Sequence, residues 1–213
     1  FERASVEITL PRNFTGGLEV KLGDGVLDMS DLDAISSLCV EQRDGKTELR
    51  NVRVNGSALL RQNDGRLTLD SVTADSLETH SRDGGLFLNK VAVAGRLTAE
   101  SNDGGVNFAD VTAANCDITG RDGRVSLADT RIDGDLHLTR KDGSVKLDRS
   151  TARLLSFDMR DGNVTGTLLG KESDYKVGVE IRDGSTNLTT SHTGDKEIRA
   201  KLQDGNIKLQ FVD

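Results

Sequence analysis

Apolar and polar residues alternate in short runs on either side of a recurring Asp-Gly dipeptide. The unit that begins at Asp122 shows the pattern. Two apolar residues, Val125 and Leu127, lie two positions apart after the dipeptide, and another such pair, Leu136 and Leu138, lies before the next dipeptide. An alternation of period two places one set of side chains inward and the other toward solvent, so it predicts two short strands per unit. A weaker apolar position between them suggests a third short extended segment; it is occupied by Val52, Val72, Val91 and Val111.

The unit repeats along the chain with a nearly constant period. Ten Asp-Gly dipeptides follow one another at intervals of 19 to 22 residues, beginning at Asp24, Asp44, Asp64, Asp83, Asp103, Asp122, Asp142, Asp161, Asp183 and Asp204. A constant period of this length indicates an array of similar structural units. Helix is not expected, because no window keeps the i, i+3, i+4, i+7 apolar spacing for long and glycine recurs throughout.

Two β architectures fit a period of this length: an antiparallel meander with one hairpin per repeat, or a solenoid with one coil per repeat. Asp-Gly is a strong hairpin signal, but ten hairpins would make roughly twenty strands, more than a compact sheet usually holds. A solenoid also explains why each column keeps one residue type, since equivalent side chains then stack. We therefore predict an all-β fold, a single-stranded right-handed β-helix of about ten coils, the handedness by analogy with parallel crossovers. With coils about 4.8 Å apart, the rod would be about 45 to 50 Å long.

Both ends of the chain are expected to be ends of the solenoid. Residues 5–10 alternate Val6, Ile8 and Leu10 before Pro11, so residues 1–23 are predicted to form an N-terminal capping strand and the first half-coil. Residues 162–213 form the less regular C-terminal coils, and the chain ends one strand after the last Asp-Gly. No linker divides the sequence, so residues 1–213 are predicted to be a single β-helix domain.

Composition and charge exclude several classes of protein. Lys and Arg together number 28 and Asp and Glu 35, which gives a formal net charge of −7. An acidic chain without a basic cluster argues against nucleic acid or an anionic membrane surface as a partner. No apolar run is long enough to cross a membrane. Because the chain begins at Phe1 rather than Met, we expect that any targeting segment has been removed.

Three segments resemble a known family. They are residues 6–11 (VEITLP), residues 84–104 with the pattern GxLxLxxVxxxGxLxxxxxDG, and residues 203–211 (QDGNIKLQF). These segments are similar to the bacterial β-strand repeat family named for a suspected adhesin role, a domain of unknown function in extracytoplasmic proteins. The resemblance covers nearly the whole chain. It implies a right-handed β-helix that is secreted or lies at the cell surface, and it supplies no catalytic residues.

The repeated Asp would form a column of carboxylates, each about 5 Å from the next. Basic residues precede many of them and would allow an interleaved Asp and Arg ladder; they are Arg43, Arg82, Arg121, Lys141, Arg160 and Arg182. Such a column could bind calcium, but no second acidic column at a fixed offset completes a ligand set. We favour turn chemistry, in which Asp accepts backbone N–H bonds in an Asx-turn and Gly supplies a positive φ. No metal or cofactor is predicted.

The histidine and cysteine residues do not form a chemical cluster in this pattern. His80, His137 and His192 lie at different offsets in their repeats, so they are interpreted as surface residues. Cys39 and Cys116 lie four coils apart, about 19 Å along the axis, with opposite side-chain phases. A disulfide between them is therefore excluded. Cys116 is expected in the core and Cys39 at the surface or an edge.

Irregular spacing near the C terminus marks the best candidate for a binding site. The longer intervals place extra residues in segments 169–175 and 192–197, and Tyr175, the single tyrosine, lies in the first of them. Insertions in a solenoid emerge as loops, which often bind partners. We favour a structural interpretation, in which the segments finish the solenoid and Tyr175 packs over the last coils.

Three functions remain open from the sequence. The favoured one is a noncatalytic extracytoplasmic scaffold or adhesin-like domain that binds an unidentified protein or glycan at the cell surface. A carbohydrate-active β-helix enzyme is the second, although the absence of Trp and the single Tyr disfavour it, because sugar rings usually stack on aromatic side chains. The third is a cell-envelope element that self-associates end to end.

Overall fold

The computed structural model describes residues 5–213, which are almost entirely β-structure. Its strands are β1 (Gly17–Ile35), β2 (Ser37–Asp103), β3 (Val106–Asp122), β4 (Val125–Ala128), β5 (Arg131–Asp142), β6 (Val145–Asp161), β7 (Val164–Leu169), β8 (Tyr175–Thr186) and β9 (Lys196–Val212). One turn of 3₁₀ helix, Glu172–Asp174, precedes β8. Within these residues there is no helix that is long and apolar enough to cross a membrane.

Neighbouring coils pair in parallel, which decides between the two predicted architectures. Leu86 lies beside Val106 and Val106 beside Val125, so each residue pairs with its equivalent one repeat further on. In residues 5–213 every pairing between the named strands is parallel. A meander would pair its strands antiparallel. The predicted β-solenoid is confirmed, and its handedness stays a prediction.

Two corners of each coil have distinct backbone chemistry. At the Asp-Gly corner, Gly45 has a φ of 126°, and a Cβ there would lie 1.9 Å from the carbonyl oxygen of Gly25 in the preceding coil. Only glycine allows the coils to stack this closely. The second corner is a left-handed column without glycine: Asp31, Asn51, Ser71, Lys90, Asp110, Asp129 and Arg149. Asx and other polar residues tolerate left-handed backbone better than branched ones. Four of these residues come directly before the valines of the predicted third segment: Asn51, Ser71, Lys90 and Asp110.

The core is a stack of aliphatic columns along the axis. The residue five positions after the Asp of the dipeptide is buried in six consecutive coils. These residues form one column: Leu49, Leu69, Leu88, Phe108, Leu127 and Leu147. The valine column of the third segment is buried as well, from Val52 to Val111. Many small aliphatic contacts, rather than a few large anchors, therefore exclude water from the interior.

The last strand does not form the last coil. β9 pairs with β6 and β7 on one side and with β8 on the other, so Asp204 lies between Asp161 and Asp183. The expectation that the chain end closes the solenoid is wrong, because β8 is the terminal coil and β9 is inserted beneath it. Because β9 lies between β8 and the coil of β6 and β7, hydrogen bonds form along both of its backbone edges, whereas a terminal strand has one unpaired edge.

Residues 187–195 cover the C-terminal end of the core. Leu188 is buried with 8% exposure, and Asn187 donates its amide to the carbonyl of Leu209 at 2.7 Å and accepts the Leu209 N–H at 2.9 Å. An isolated antiparallel bridge joins Val177 to Ser191. The chain thus crosses over the end of the terminal coil before it enters β9.

Within residues 5–213 no strand caps the N-terminal end of the solenoid, contrary to the predicted capping strand. Residues 5–10 form no strand, and Val6 and Ile8 are 83% and 77% exposed; residues 1–4 of the predicted cap lie outside the described part. The chain turns at Pro11, whose carbonyl accepts the Phe14 N–H at 2.9 Å, before β1 begins. The alternating segment therefore leaves the solenoid instead of pairing with β1.

Candidate functional site

The Asp-Gly carboxylates stack in a column that is partly compensated by arginine. Arg43 contacts Asp24 at 2.9 Å and Asp44 at 3.3 Å, and Arg160 contacts both Asp142 and Asp161 at 3.0 Å. These contacts confirm the predicted ladder for two pairs of coils. No group of three or more His, Cys, Asp or Glu side chains within residues 5–213 is arranged to hold a metal ion.

The predicted Asx-turn chemistry is only half correct. Glycine supplies the positive φ, but among residues 5–213 these carboxylates accept no hydrogen bond from a backbone N–H of their own turn. The corners are joined by main-chain bonds instead, such as the Gly143 N–H to the Asp161 carbonyl at 3.0 Å and the Gly162 N–H to the Asp204 carbonyl at 2.9 Å. The carboxylates are therefore free to interact along the column.

Two carboxylates of the column have pKa values shifted in opposite directions. The hydrogen bond and the charge of Arg43 hold the pKa of Asp24 below its usual value. Desolvation and the neighbouring carboxylates of Asp83 and Asp44 raise the pKa of Asp64, whose preceding residue is Asn63. The column thus contains both compensated and mutually repelling carboxylates. An arginine contact does not decide between them alone, because the hydrogen bond with Asp142 raises the pKa of Asp161 although Arg160 contacts it.

A shallow groove runs across the coils of β5, β6, β9 and β8, in that spatial order. One wall is formed by Thr139, Asp158, Lys201 and Glu180, which pair in register. The other wall is formed by Lys141, Arg160, Gln203 and Arg182. Between the walls lie Met159, Leu202 and Ile181, whose side chains point toward the core, so the strand backbone at these positions forms the floor. The groove encloses about 960 Å³ and is open along its length.

The walls of the groove carry four cations and two anions, although the chain as a whole is acidic. Arg160 is bound by Asp142 and Asp161, and Arg182 lies 3.8 Å from Asp183. Within the described residues, the ammonium groups of Lys141 and Lys201 take part in no ion pair. These two lysines, one on each wall, are the groove cations available to a ligand.

Arg140 lies beneath the groove and points into the solenoid with 2% exposure. Its Nη1 donates to the carbonyls of Ser101 at 3.0 Å and Asp122 at 2.8 Å, while its Nε and Nη2 have no partner. Burial lowers the pKa of this guanidinium. One signal for this inward polar column is visible in the sequence, because the equivalent positions Gln42 and Gln62 are also polar, and both are buried.

The irregular segments serve the structure, as the sequence analysis favoured. Tyr175 is fully buried, its hydroxyl donates to the Leu169 carbonyl at 2.7 Å, and its ring lies 5.3 Å from that of Phe211. The ammonium of Lys196 sits 5.2 Å above the same ring. Tyr175 is therefore a core residue and not part of a binding loop.

The histidines and cysteines lie as predicted, with one addition. Both cysteines are free, Cys116 in the core and Cys39 half-exposed, and burial raises the pKa of the Cys116 thiol. His137 is exposed. His80 bridges two coils: its ring nitrogens lie 2.5 Å from a carboxylate oxygen of Glu78 and 2.8 Å from one of Glu100 in the next coil. The positions of the histidines within their repeats do not predict this bridge.

The regular parallel solenoid, with its stacked Asp-Gly corners, agrees with a comparison against protein-family models. Residues 1–210 match the Toastrack family, DUF4097, a domain of unknown function. The chain belongs to the Toastrack family. The comparisons with curated proteins and with solved structures found no match. Membership in the Toastrack family accounts for the fold over nearly the whole chain, and it assigns no activity to the groove.

Proposed function

We propose that this Toastrack domain is a noncatalytic, adhesin-like binding scaffold that acts outside the cytoplasm, secreted or at the cell surface. The groove across β5, β6, β9 and β8 is the observation that carries this proposal. Its walls come from stacked parallel strands, whose spacing is fixed by main-chain hydrogen bonds. A surface of this kind is preorganised and suits a long ligand rather than a small molecule.

The ligand that fits the groove is an extended polar chain that carries anionic groups. Lys141 and Lys201 offer unpaired ammonium groups on opposite walls. An anionic chain lying along the groove would pair with both and would leave the existing Arg160 contacts intact. Acidic glycans and acidic peptide segments share this chemistry, and they are the two sources to be distinguished.

A carbohydrate-active enzyme is disfavoured by the arrangement of the groove acids. Glycosidases place two carboxyl groups on opposite sides of the scissile bond. Asp158 and Glu180 instead lie on the same wall, with the Lys201 strand between them. The groove lining also contains no aromatic side chain on which a sugar ring could stack.

The test is an array of acidic glycans and acidic peptides, probed with the purified domain. Replacing both groove lysines, K141E and K201E, is expected to weaken binding to the selected ligand at least about tenfold. The matched control is K146E with K208E, because these exposed lysines lie on β6 and β9 outside the groove lining. Equal binding by both double variants, or no ligand on either array, would reject the groove as a binding site.

The location is tested on the full-length protein in its own cells. Digestion of the domain by protease added to intact cells, or its recovery from the medium, is the expected result. Digestion that requires cell lysis would place the domain behind a membrane and contradict the secreted or cell-surface location.

A further inference from the structure

The N-terminal coil leaves both its backbone edge and its core open. β1 pairs only with β2, so one edge of its 19 residues has no strand partner in the described part of the chain. The inward residues of β1 are only half-buried, in contrast to their counterparts in β2; they are Leu18, Val20, Leu22, Leu27, Met29 and Leu32. An open edge above an open core is a surface that pairs readily with another strand.

Pairing of this edge with the opposite end of another copy would disturb that end. Residues 187–195 lie over part of it, with Leu188 packed into the core and Ser191 bridged to Val177. A head-to-tail stack would have to displace this segment. An isologous contact, in which two N-terminal ends meet about a two-fold axis, buries the N-terminal end without that displacement.

The sequence of β1 is self-complementary in one antiparallel register. Residues opposite each other in an antiparallel pair point to the same side, so inward residues must meet inward residues. A two-fold axis through Val20 places Leu18 opposite Leu22 of the second copy and continues the core. The same register sets Glu19 opposite Lys21 of the second copy, twice by symmetry.

The neighbouring registers lose this charge match. An axis through Glu19 would place the two Glu19 carboxylates opposite each other, and an axis through Lys21 would do the same for the two ammonium groups. The complementary pairing already exists one coil further in, where Lys21 lies 3.7 Å from Glu41 of the adjacent strand and 2.9 Å from Glu19 of its own.

Three of the four other carboxylates of β1 lie beside an arginine of the second coil, and the fourth, Asp31, accepts a hydrogen bond from Asn51. Asp24 is bound by Arg43 at 2.9 Å, and Asp28 is bound by Arg50 at 2.7 Å. Both arginines belong to the second coil, so these carboxylates are neutralised within each copy. We propose that the Toastrack domain forms a symmetric dimer in which the β1 edges of two copies pair antiparallel about Val20, through Leu18, Leu22, Glu19 and Lys21.

The test is sedimentation velocity over a wide range of protein concentration. The wild-type chain is expected to shift from monomer to dimer, and to stop at dimer because both N-terminal ends are then covered. E19K sets lysine opposite lysine at two symmetric places, so we expect about tenfold weaker dimerisation. The exchanged variant E19K/K21E restores opposite charges across the axis and is expected to recover dimerisation. Glu19 and Lys21 are about two-thirds exposed, so none of these changes disturbs the core.

Three outcomes would overturn the proposal. A chain that remains monomeric at all concentrations has no such contact. A dimer that E19K does not weaken, or that the exchanged variant does not restore, is formed elsewhere. Slow hydrogen exchange of the amides of residues 6–10 in a monomeric sample would mean that the chain's own N-terminal segment covers the edge.

Discussion

The guanidinium of Arg140 occupies the space that a side chain at Gly120 would fill. The two residues pair in adjacent coils, and a Cβ on Gly120 would lie 2.7 Å from Nη1 of Arg140 and 1.9 Å from the carbonyl oxygen of Ser101. Arg140 extends over Gly120 to reach this carbonyl at 3.0 Å. A buried cation is thus accommodated by the absence of a side chain in the preceding coil.

Gly120→Ala is expected to destabilise the domain by about 2–3 kcal/mol, because the added methyl group overlaps both a backbone oxygen and a buried guanidinium. The free energy of unfolding in urea measures this effect. Gly178→Ala is the matched control, since nothing lies within 4 Å of the Cβ position there. Equal stability of the two variants would mean that the coils separate easily at Arg140.

Two aspartates of the same column are expected to respond oppositely to pH. Asp64→Asn should raise the melting temperature at pH 7, because it removes a carboxylate that is desolvated and repelled by Asp83 and Asp44. The native pKa of Asp64 is raised, so its protonated form favours folding at low pH, and that contribution is lost as the pH rises through the raised pKa. The advantage of the variant should therefore vanish below the ordinary value of 3.8.

Asp24→Asn provides the comparison of opposite sign. Its native pKa is lowered by Arg43, so the carboxylate stabilises the fold above the ordinary value of 3.8, and this stabilisation is lost as the pH falls through the lowered pKa. The variant should melt below the wild type at pH 7 and approach it in acid. If the melting temperatures of both variants depend on pH in the same way, Asp24 is not a compensated carboxylate and Asp64 is not a repelled one.

The two thiols are expected to differ in reactivity. Cys39 is half-exposed, whereas Cys116 is buried and burial raises its pKa, so its reactive thiolate is scarce. A thiol reagent should label only Cys39 in the folded protein and both residues after denaturation. Cys39→Ser should abolish labelling of the folded chain. Rapid labelling of that variant would show that the coil around Cys116 opens frequently.

The sequence predicts the solenoid because each Asp-Gly corner and each alternating pair repeats in register, so local pattern and long-range stacking agree. It does not predict the order of the last coils, since β8 and β9 carry equivalent patterns and either can pair with β6. It also does not show that residues 5–10 leave the solenoid, because their alternation fits a capping strand. The groove escapes sequence analysis for a related reason: its walls combine residues from strands that are adjacent only through the insertion of β9.

Removal of β9 tests the inserted coil directly. Because β8 pairs with β9 and with no other named strand, a chain that ends after Thr190 should lose hydrogen-exchange protection in β8 as well as lacking β9. β2 and β3 lie several coils away and should remain protected, since coils of a solenoid contact mainly their neighbours. Ile198→Ala in the full chain, a buried change in β9, should weaken the same region more mildly. If β8 stays protected in the shortened chain, its order does not depend on pairing with β9, contrary to this expectation.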